Sequence, residues 1–361
     1  MAKQIQHKKV LFQSIKSLIE EAKQYVVRNI NTTLLVTNFE IGRMIVEEEQ
    51  NGKHRADYAK QIVLQLSKDL MKEFGRGYSV SNLEYFRKFY LIYSLAISQS
   101  ATGKSKIVSN SALAMRNLIS QQKPQSLTGR FKFSSLSWTH YVQLLKIEDD
   151  NERAFYEIEA AENNWSVREL QRQYESALYE RLSLSKDKKG AKKLAEKGHM
   201  IENVTDVLKT SYVLEFLDLR EDNRYTETDL ETAIINKLEQ FMLELGKGFC
   251  FVGRQKRFTF ENDSFFVDLV FYNRLLKCFV IIDLKIGKLT HQDIGQMQMY
   301  VNYYDRMIKQ KEENATIGII LCREKNKAVV EFTFPQSQKQ IFTKEYKLYL
   351  PSKKALLKQL Q

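Results

Sequence analysis

The sequence predicts an α+β protein in which an all-helical N-terminal domain precedes an α/β domain with a mixed central sheet. Proline is absent before Pro124, so long helices can run uninterrupted through the first part of the chain. In the second half, short runs rich in Val, Ile and Phe alternate with longer amphipathic segments, which is typical of strands and helices that share one sheet. At 361 residues the chain is long enough for both domains.

The N-terminal half carries apolar residues at helical spacing. They predict three helical segments, over about residues 10–26, 30–45 and 58–74. Gly75-Arg76-Gly77 then predicts a helix stop, and Ser81-Asn82-Leu83-Glu84 matches a capping box at the start of the next helix.

This glycine turn and its two flanking helices allow two interpretations. A helix-turn-helix would present Asn82, Arg87 and Lys88 on an exposed face for contact with DNA. An ordinary helical pair fits the same pattern, and it is the favoured interpretation. Residues 98–128 are rich in Ser, Gly, Gln and Lys, and they predict a loop.

The second half predicts a mixed α/β domain behind a basic stretch. The lysine-rich run at 186–193 predicts a solvated hinge. The expected elements are helices near 229–246 and 290–311 and strands near 249–260, 264–272, 277–283, Thr316–Cys322 and 328–334. The predicted division is a helical domain at 1–185, a basic linker at 186–210 and an α/β domain at 211–361.

Charge and cysteine content narrow the class of partner and compartment. A formal net charge of +12 and a pI of about 9.3 favour a polyanionic partner, most simply nucleic acid. The three Cys lack C-x-x-C spacing, so they predict neither a disulfide framework nor a zinc site. No segment predicts a signal peptide or a membrane span, and a reducing cytoplasm without membrane contact is the expected setting.

Three charged residues follow the apolar runs of two neighbouring predicted strands. Asp268 lies within one strand, Asp283 lies near the end of the next, and Lys285 points to the same face as Asp283 because side chains alternate along a strand. If the two strands form a hairpin, both carboxylates face one point. Carboxylate oxygens suit Mg²⁺ or Mn²⁺, which polarise a phosphoryl oxygen and activate a bound water. Solvent-facing residues at a strand end are the simpler alternative.

Two helices contribute further candidates. Gln296 and Tyr300 share a face of one predicted helix, because they lie four residues apart. Glu231 falls at the centre of the apolar stripe of the helix near 229–246, where Glu244 lies opposite the stripe. An inward carboxylate needs a partner or a metal, yet Thr228-Asp229-Leu230-Glu231 is also a capping box. The sequence leaves both roles of Glu231 open.

These motifs resemble the PD-(D/E)xK nuclease core, and Gln296-Met297-Gln298-Met299-Tyr300 is similar to the element of its RecB-like branch. The wider sequence resembles the YhcG-type nuclease family over nearly the whole chain. The similar segments include Glu40-Ile41-Gly42-Arg43, Asn163-Asn164-Trp165-Ser166, Val252-Gly253-Arg254-Gln255, Asp268-Leu269-Val270-Phe271-Tyr272 and Asp283-Leu284-Lys285-Ile286-Gly287-Lys288.

The resemblance implies a restriction-endonuclease-like C-terminal domain behind an N-terminal helical domain. It implies that Asp268, Asp283 and Glu231 bind metal, that Lys285 assists catalysis and that Gln296 is an accessory active-site residue. Val267 replaces the usual Pro before the first acid, and the second acid is Asp rather than the commoner Glu; both changes preserve the charge.

The function we expect is hydrolysis of DNA phosphodiester bonds with Mg²⁺ or Mn²⁺. The N-terminal domain would bind DNA or mediate self-association into a homo-oligomer. A non-catalytic DNA-binding or assembly protein with a nuclease fold and an RNA-directed nuclease are the alternatives. The expected nucleic-acid contacts are Arg254, Gln255, Lys256, Lys288, Tyr300, Arg87 and Lys88.

Overall fold

The computed structural model describes residues 2–51, 56–100, 136–184, 188–219, 225–260, 263–325, 327–335, 337–353 and 356. Two compact units divide the chain. We name them the helical unit, Met1–Arg153 with Ala160–Leu170, and the sheet unit, Ala154–Glu159 with Gln171–Gln361. The loop predicted at 98–128 lies outside the described residues from position 101 onward. The predicted division into a helical domain at 1–185, a basic linker at 186–210 and an α/β domain at 211–361 stays a prediction.

Helices make up the first part of the chain, as predicted. The first two predicted segments form one continuous helix, because no Gly or Pro interrupts the sequence between them. No helix in the described ranges combines the length and apolar character that crossing a membrane requires. The helices are α1 (Ala2–Asn51), α2 (Ala56–Phe74), α3 (Val80–Ser100), α4 (Trp138–Leu144), α5 (Asp150–Glu162) and α6 (Val167–Glu175), with a 3₁₀ turn at Arg76–Tyr78.

Helix α3 packs closely along α1. A Cβ at Gly42 would lie 2.0 Å from the backbone oxygen of Phe86, so only glycine permits this approach. The hydroxyl of Ser79, and not that of Ser81, accepts the backbone N–H of Asn82 at the helix start, so the predicted cap was placed two residues too late. Both interpretations of the glycine turn stay predictions.

The sheet unit contains six strands in its described part, and short helices surround them. Its helices are α7 (Leu178–Ser183), α8 (Lys188–Lys197), α9 (Val204–Val207), α10 (Glu227–Asn236), α11 (Leu238–Leu245), α12 (His291–Tyr303) and α13 (Lys327–Thr333), with a 3₁₀ turn at Glu215–Leu217 and a π turn at Tyr304–Ile308. Its strands are β1 (Ser211–Val213), β2 (Phe249–Phe260), β3 (Asp263–Asn273), β4 (Cys278–Lys288), β5 (Ile317–Glu324) and β6 (Ile341–Lys347).

The strands form one mixed sheet in the order β1-β6-β5-β4-β3-β2. β2, β3 and β4 form an antiparallel meander, whereas β4, β5, β6 and β1 run parallel. The predicted mixed sheet is therefore confirmed. Leu230, Ile234 and Phe241 of α10 and α11 join the core on one face, and Met297 and Val301 of α12 join the core on the other.

Close packing fixes α12 against the sheet. A Cβ at Gly318 on β5 would lie 2.6 Å from the sulfur of Met297 and 2.9 Å from Val301, so the missing side chain lets the helix approach the strand. The helix that carries Gln296 and Tyr300 is thereby held over the sheet.

Two predicted elements differ from the structure. The predicted strand near 328–334 is helix α13, where Phe332 is 85% exposed, and the strand that enters the sheet comes later as β6. Short apolar runs do not distinguish a strand from a helix by periodicity alone. The basic run predicted as a hinge becomes helical from Lys188 onward, and Leu194 and Ala195 in this helix are buried.

The predicted helix at 229–246 is broken at Lys237. This residue has φ −121° and ψ 38°, so α10 ends there and α11 begins in a new phase. The prediction that Glu244 lies opposite the apolar stripe was therefore wrong, because Glu244 is fully buried. A projection that assumes one straight helix cannot anticipate this change of phase.

A cluster of buried charges surrounds Glu244. Its carboxylate lies 2.6 Å from Arg181, 3.6 Å from Lys209 and 3.5 Å from Arg172, and it accepts the backbone N–H of Val213 at 3.0 Å. Burial alone would raise the pKa of Glu244, but the three cations lower it to about 2. Residues from α6, α7, α11 and β1 are thus joined through one carboxylate.

We predict that Glu244→Gln destabilises the sheet unit by about 3–5 kcal/mol, because the substitution leaves buried cations without their counter-charge. Urea unfolding followed by circular dichroism measures this change. Glu239→Gln, at an exposed position of the same helix, is the matched control and should change stability by less than about 0.5 kcal/mol. Equal effects of the two substitutions would contradict the prediction.

Candidate active site

The candidate site lies where pairing between β3 and β4 stops. The last backbone pair of this ladder is Leu269 with Ile282, and the same register continued by one residue brings Asp268 opposite Asp283. The Asp268 carboxylate instead accepts the backbone N–H of Leu284 at 2.9 Å. The Asp268 side chain thus accepts a hydrogen bond in place of a backbone carbonyl. The hairpin expected from the sequence brings Asp268 and Asp283 together.

Asp283 and Lys285 form a close ion pair. Their charged atoms are 2.9 Å apart, which confirms that the two side chains share a face of β4. Asp283 is only 2% exposed. Its Oδ2 faces the Lys285 ammonium, which is the charged group that compensates this buried oxygen.

Burial and neighbouring charge set the protonation of this pair. The pKa of the Asp283 carboxyl is raised because burial penalises its charge; Lys285 offsets part of this rise, and Asp268 adds to it. Burial acts to lower the pKa of Lys285, but Asp283 overcomes this effect, and the pKa of Lys285 is raised. Lys285 therefore stays an ammonium beside the two acids.

Glu231 reaches the same place from α10. It is 6% exposed, and its carboxylate accepts a hydrogen bond of 2.5 Å from the amide of Gln255, which also donates to Asp268 at 3.1 Å. Thr226 and Asp229 form the capping box of this helix. The alternative that Glu231 closes the helix start was therefore wrong, and its carboxylate faces the acids of the sheet.

The structure adds Glu227, which the sequence interpretation did not select. Its carboxylate lies 3.7 Å from the ammonium of Lys285 and accepts the backbone N–H of Ile286 at 3.4 Å. Glu227 precedes Glu231 by four residues, so both point from one face of α10. This spacing was the available signal, but Glu227 lies in the first turn, where an acid is ordinary.

Gln296 and Tyr300 contact each other on α12, as their spacing predicted. The Gln296 amide donates to the Tyr300 hydroxyl, which donates to the backbone oxygen of Phe266 at 2.8 Å. Burial raises the pKa of Tyr300, Gln296 lowers it, and the charges of Asp283 and Asp268 raise it further, so this hydroxyl lies within the electrostatic reach of the acids. Tyr300 is 1% exposed, so its predicted contact with nucleic acid was wrong.

Some basic residues predicted to contact nucleic acid are exposed, and others form ion pairs with acidic side chains. Arg254 and Lys256 are exposed on β2, an edge strand of the described sheet. Lys288 is also exposed and lies 3.3 Å from Glu324. In the helical unit Lys88 is exposed, but Arg87 forms an ion pair of 2.7 Å with Glu49. Surface ion pairs are weak, so a phosphate could displace Glu324 from Lys288 or Glu49 from Arg87.

The donor chemistry of this site suits a hard divalent cation. Asp268, Asp283 and Glu231 supply carboxylate oxygens, and those of Asp283 and Glu231 are buried. Within the described ranges, however, no three His, Cys, Asp or Glu side chains already stand together as a metal cluster. Lys285 and Gln255 hold the carboxylates instead.

Comparison with known proteins identifies the family. Residues 205–361 match the model of the YhcG PDDEXK nuclease domain, and residues 14–181 match the DUF1016 N-terminal domain. The protein of Escherichia coli (strain K12) named "Putative nuclease YhcG" is 38% identical over 346 residues, which cover 95% of this chain and 91% of that protein. The chain belongs to the YhcG family. The fold expected from the resemblance is thereby confirmed.

Two solved structures show partial similarity to this YhcG-family chain. A repair endonuclease from Pyrococcus abyssi is 18% identical, with 37% of this chain and 50% of that chain covered and a TM-score of 0.24. A structure of an EndoMS–dsDNA2 complex is 14% identical, with 37% and 51% covered and a TM-score of 0.25. At these scores, the family assignment rests on the sequence matches.

We predict that Tyr300→Phe lowers the stability of the sheet unit by about 1–2 kcal/mol, because the backbone oxygen of Phe266 loses a buried hydrogen bond. Thermal unfolding should show a lower midpoint. Tyr303→Phe on the same helix keeps the stacking on Phe258 and serves as the control. An unchanged midpoint for Tyr300→Phe would contradict this prediction.

Proposed function

We propose that this YhcG-family protein is a metal-dependent nuclease that hydrolyses DNA phosphodiester bonds. The observation that carries the proposal is the meeting of Asp268, Asp283, Lys285 and Glu231 at one end of the β3–β4 ladder. A binding module has no need for clustered carboxylates beside phosphates, which they repel. The match of the C-terminal part to a PDDEXK nuclease domain supports a hydrolase.

Each residue has a role that follows from its contacts. Asp268, Asp283 and Glu231 would hold Mg²⁺ or Mn²⁺, which polarises a phosphoryl oxygen and lowers the pKa of a bound water. Lys285 keeps its proton beside Asp283 and offsets negative charge that develops at the phosphorus. Gln296, oriented by the Tyr300 hydroxyl, offers an amide to a water or a phosphate oxygen.

The exposed basic residues of the sheet unit would hold the DNA backbone. Arg254 and Lys256 lie on either side of Gln255 on β2, close in sequence to a residue that contacts Asp268. A guanidinium suits phosphate through its planar fork, and each phosphate contact steepens the salt dependence of binding.

A reducing cytoplasm suits the three cysteines, which are free.

We predict that Asp283→Ala reduces cleavage of DNA by at least roughly a hundredfold. Loss of a residue that only orients a metal ligand costs roughly 10–100-fold in activity, and loss of the ligand itself should cost more. The assay uses linear, supercoiled and branched DNA with Mg²⁺ or Mn²⁺. The isosteric variant Asp283→Asn tests the same point if Ala disturbs folding, and Asp263→Asn at the exposed start of β3 is the control.

Two results would overturn the enzyme proposal. One is equal cleavage by wild type and both Asp283 variants, and the other is no cleavage of any substrate by wild type. Binding of DNA without metal and without cleavage would support the non-catalytic alternative. Preferential cleavage of RNA in a competition assay would move the substrate from DNA to RNA.

We propose self-association as the function of the N-terminal helix. Between residues 11 and 34 its large apolar side chains are exposed; Phe12 is 62% exposed, Ile19 49% and Val26 54%. These residues recur every seven positions, and Ile15 follows Phe12 by three, which is the spacing of a helix-pairing seam. An apolar surface of this kind, about 36 Å long along α1, requires a cover.

A second copy of the chain is the occupant that the seam fits best. Lys16, Glu20, Glu21 and Lys23 lie beside or between the seam residues, so both signs of charge are available for pairing across two antiparallel copies. The exposed apolar seam therefore supports self-association as the function of this helix.

We predict that Ile15→Glu combined with Ile19→Glu converts an oligomer into a monomer, because two carboxylates would enter the apolar seam. Light scattering coupled to size-exclusion chromatography measures the mass of the full chain. Phe332→Glu replaces an exposed apolar residue outside this helix and should leave the mass unchanged. A monomeric wild type would rule out the self-association proposal.

A further inference from the structure

Gln255 occupies a strained position in β2. Its φ is 46°, in the left-handed region that side chains such as Gln rarely adopt. The register pairs Arg254 with Leu269 and Lys256 with Val267, so Gln255 lies opposite Asp268 on the neighbouring strand. Strained residues persist where their surroundings hold them, and they cluster at functional sites.

The side chain of Gln255 joins two carboxylates that come from different elements. Its amide nitrogen lies 2.5 Å from the carboxylate of Glu231 on α10 and 3.1 Å from that of Asp268 on β3. Two adjacent carboxylates repel each other, and an amide with two N–H groups can donate one to each. The strained backbone and the bridging amide thus act on the same pair of acids.

The groups around the Gln255 amide indicate that it positions the carboxylates for a ligand and does not only stabilise the fold. Gln255 is exposed, so the bridge contributes little to a buried core. The neighbouring Asp283 is 2% exposed, and Lys285 is the cation beside its carboxylate, at 2.9 Å. A neutral amide also suits the position, because a lysine there would compete with a cation for the carboxylates.

We propose that Gln255 is a positioning residue that holds Glu231 and Asp268 together for a divalent cation. Each carboxylate oxygen has two lone pairs, so it can accept the amide N–H and still face a metal. Hydrogen bonds of this kind orient metal ligands, and their loss costs roughly 10–100-fold in metal affinity. This inference rests on the proposed function, because the cation is the one that the nuclease would use.

The test is calorimetric titration of the full chain with Mn²⁺ alone. Gln255→Gly removes the amide and tolerates the left-handed backbone, so the variant should fold as well as wild type. We expect its Mn²⁺ affinity to be roughly 10–100-fold weaker, while its unfolding midpoint without metal stays the same or rises. Gln171→Ala, which removes an exposed amide from α6, is the control and should leave the affinity unchanged.

Gln255→Asn keeps an amide at this position but shortens the side chain, so it tests whether the reach of the amide matters. Asparagine tolerates the left-handed region but is one methylene shorter, so its amide falls short of the two carboxylates. We expect weaker Mn²⁺ binding for this variant as well. Wild-type affinity in both variants would overturn the proposal, as would tighter binding. If DNA affinity fell while Mn²⁺ affinity stayed constant, Gln255 would be a nucleic-acid contact instead.

The same experiment separates this inference from the nuclease proposal. A wild type that binds no Mn²⁺ and cleaves no substrate overturns both. A wild type that binds Mn²⁺ and cleaves DNA, together with a Gln255→Gly variant of equal Mn²⁺ affinity, overturns the positioning role alone. Weaker binding in the variant with an unchanged unfolding midpoint supports the positioning role.

Discussion

The backbone N–H of Leu284 donates to the side chain of Asp268 at the point where β3 and β4 stop pairing, and the candidate site depends on this contact. Beyond that point the two strands are joined through a carboxylate rather than through backbone groups. One oxygen of Asp268 is committed to the sheet, and the other accepts the amide of Gln255. The position of this acid is therefore set by the sheet itself.

Buried charge has different consequences at two places in the sheet unit. Glu244 is surrounded by three cations, which fix its negative charge and join helices to β1. Asp283 is nearly as buried but has Lys285 as its cation and Asp268 as a like-charged neighbour, so burial prevails and its pKa is raised. Compensated charge holds the fold together, whereas incompletely compensated charge is what a metal site needs.

The sequence predicted most of the elements and the members of the site. Asp283 and Lys285 share a face because strand side chains alternate, and Gln296 meets Tyr300 because they lie one helical turn apart. These relations are local, so spacing alone reveals them. The same local reasoning failed at 328–334, where a short apolar run formed a helix, and at Glu244, where the break at Lys237 changed the phase of the helix.

By itself, the sequence determined the fold class of the protein, most of its helices and strands, and the acids and lysine of its candidate site. Only the tertiary structure decided the relations that span distant segments. It made Glu231 a partner of Gln255 rather than a helix cap, placed Glu227 beside Lys285 and buried Tyr300. The reason is physical: periodicity fixes which way a side chain leaves its own element, whereas its partner depends on how separate elements pack.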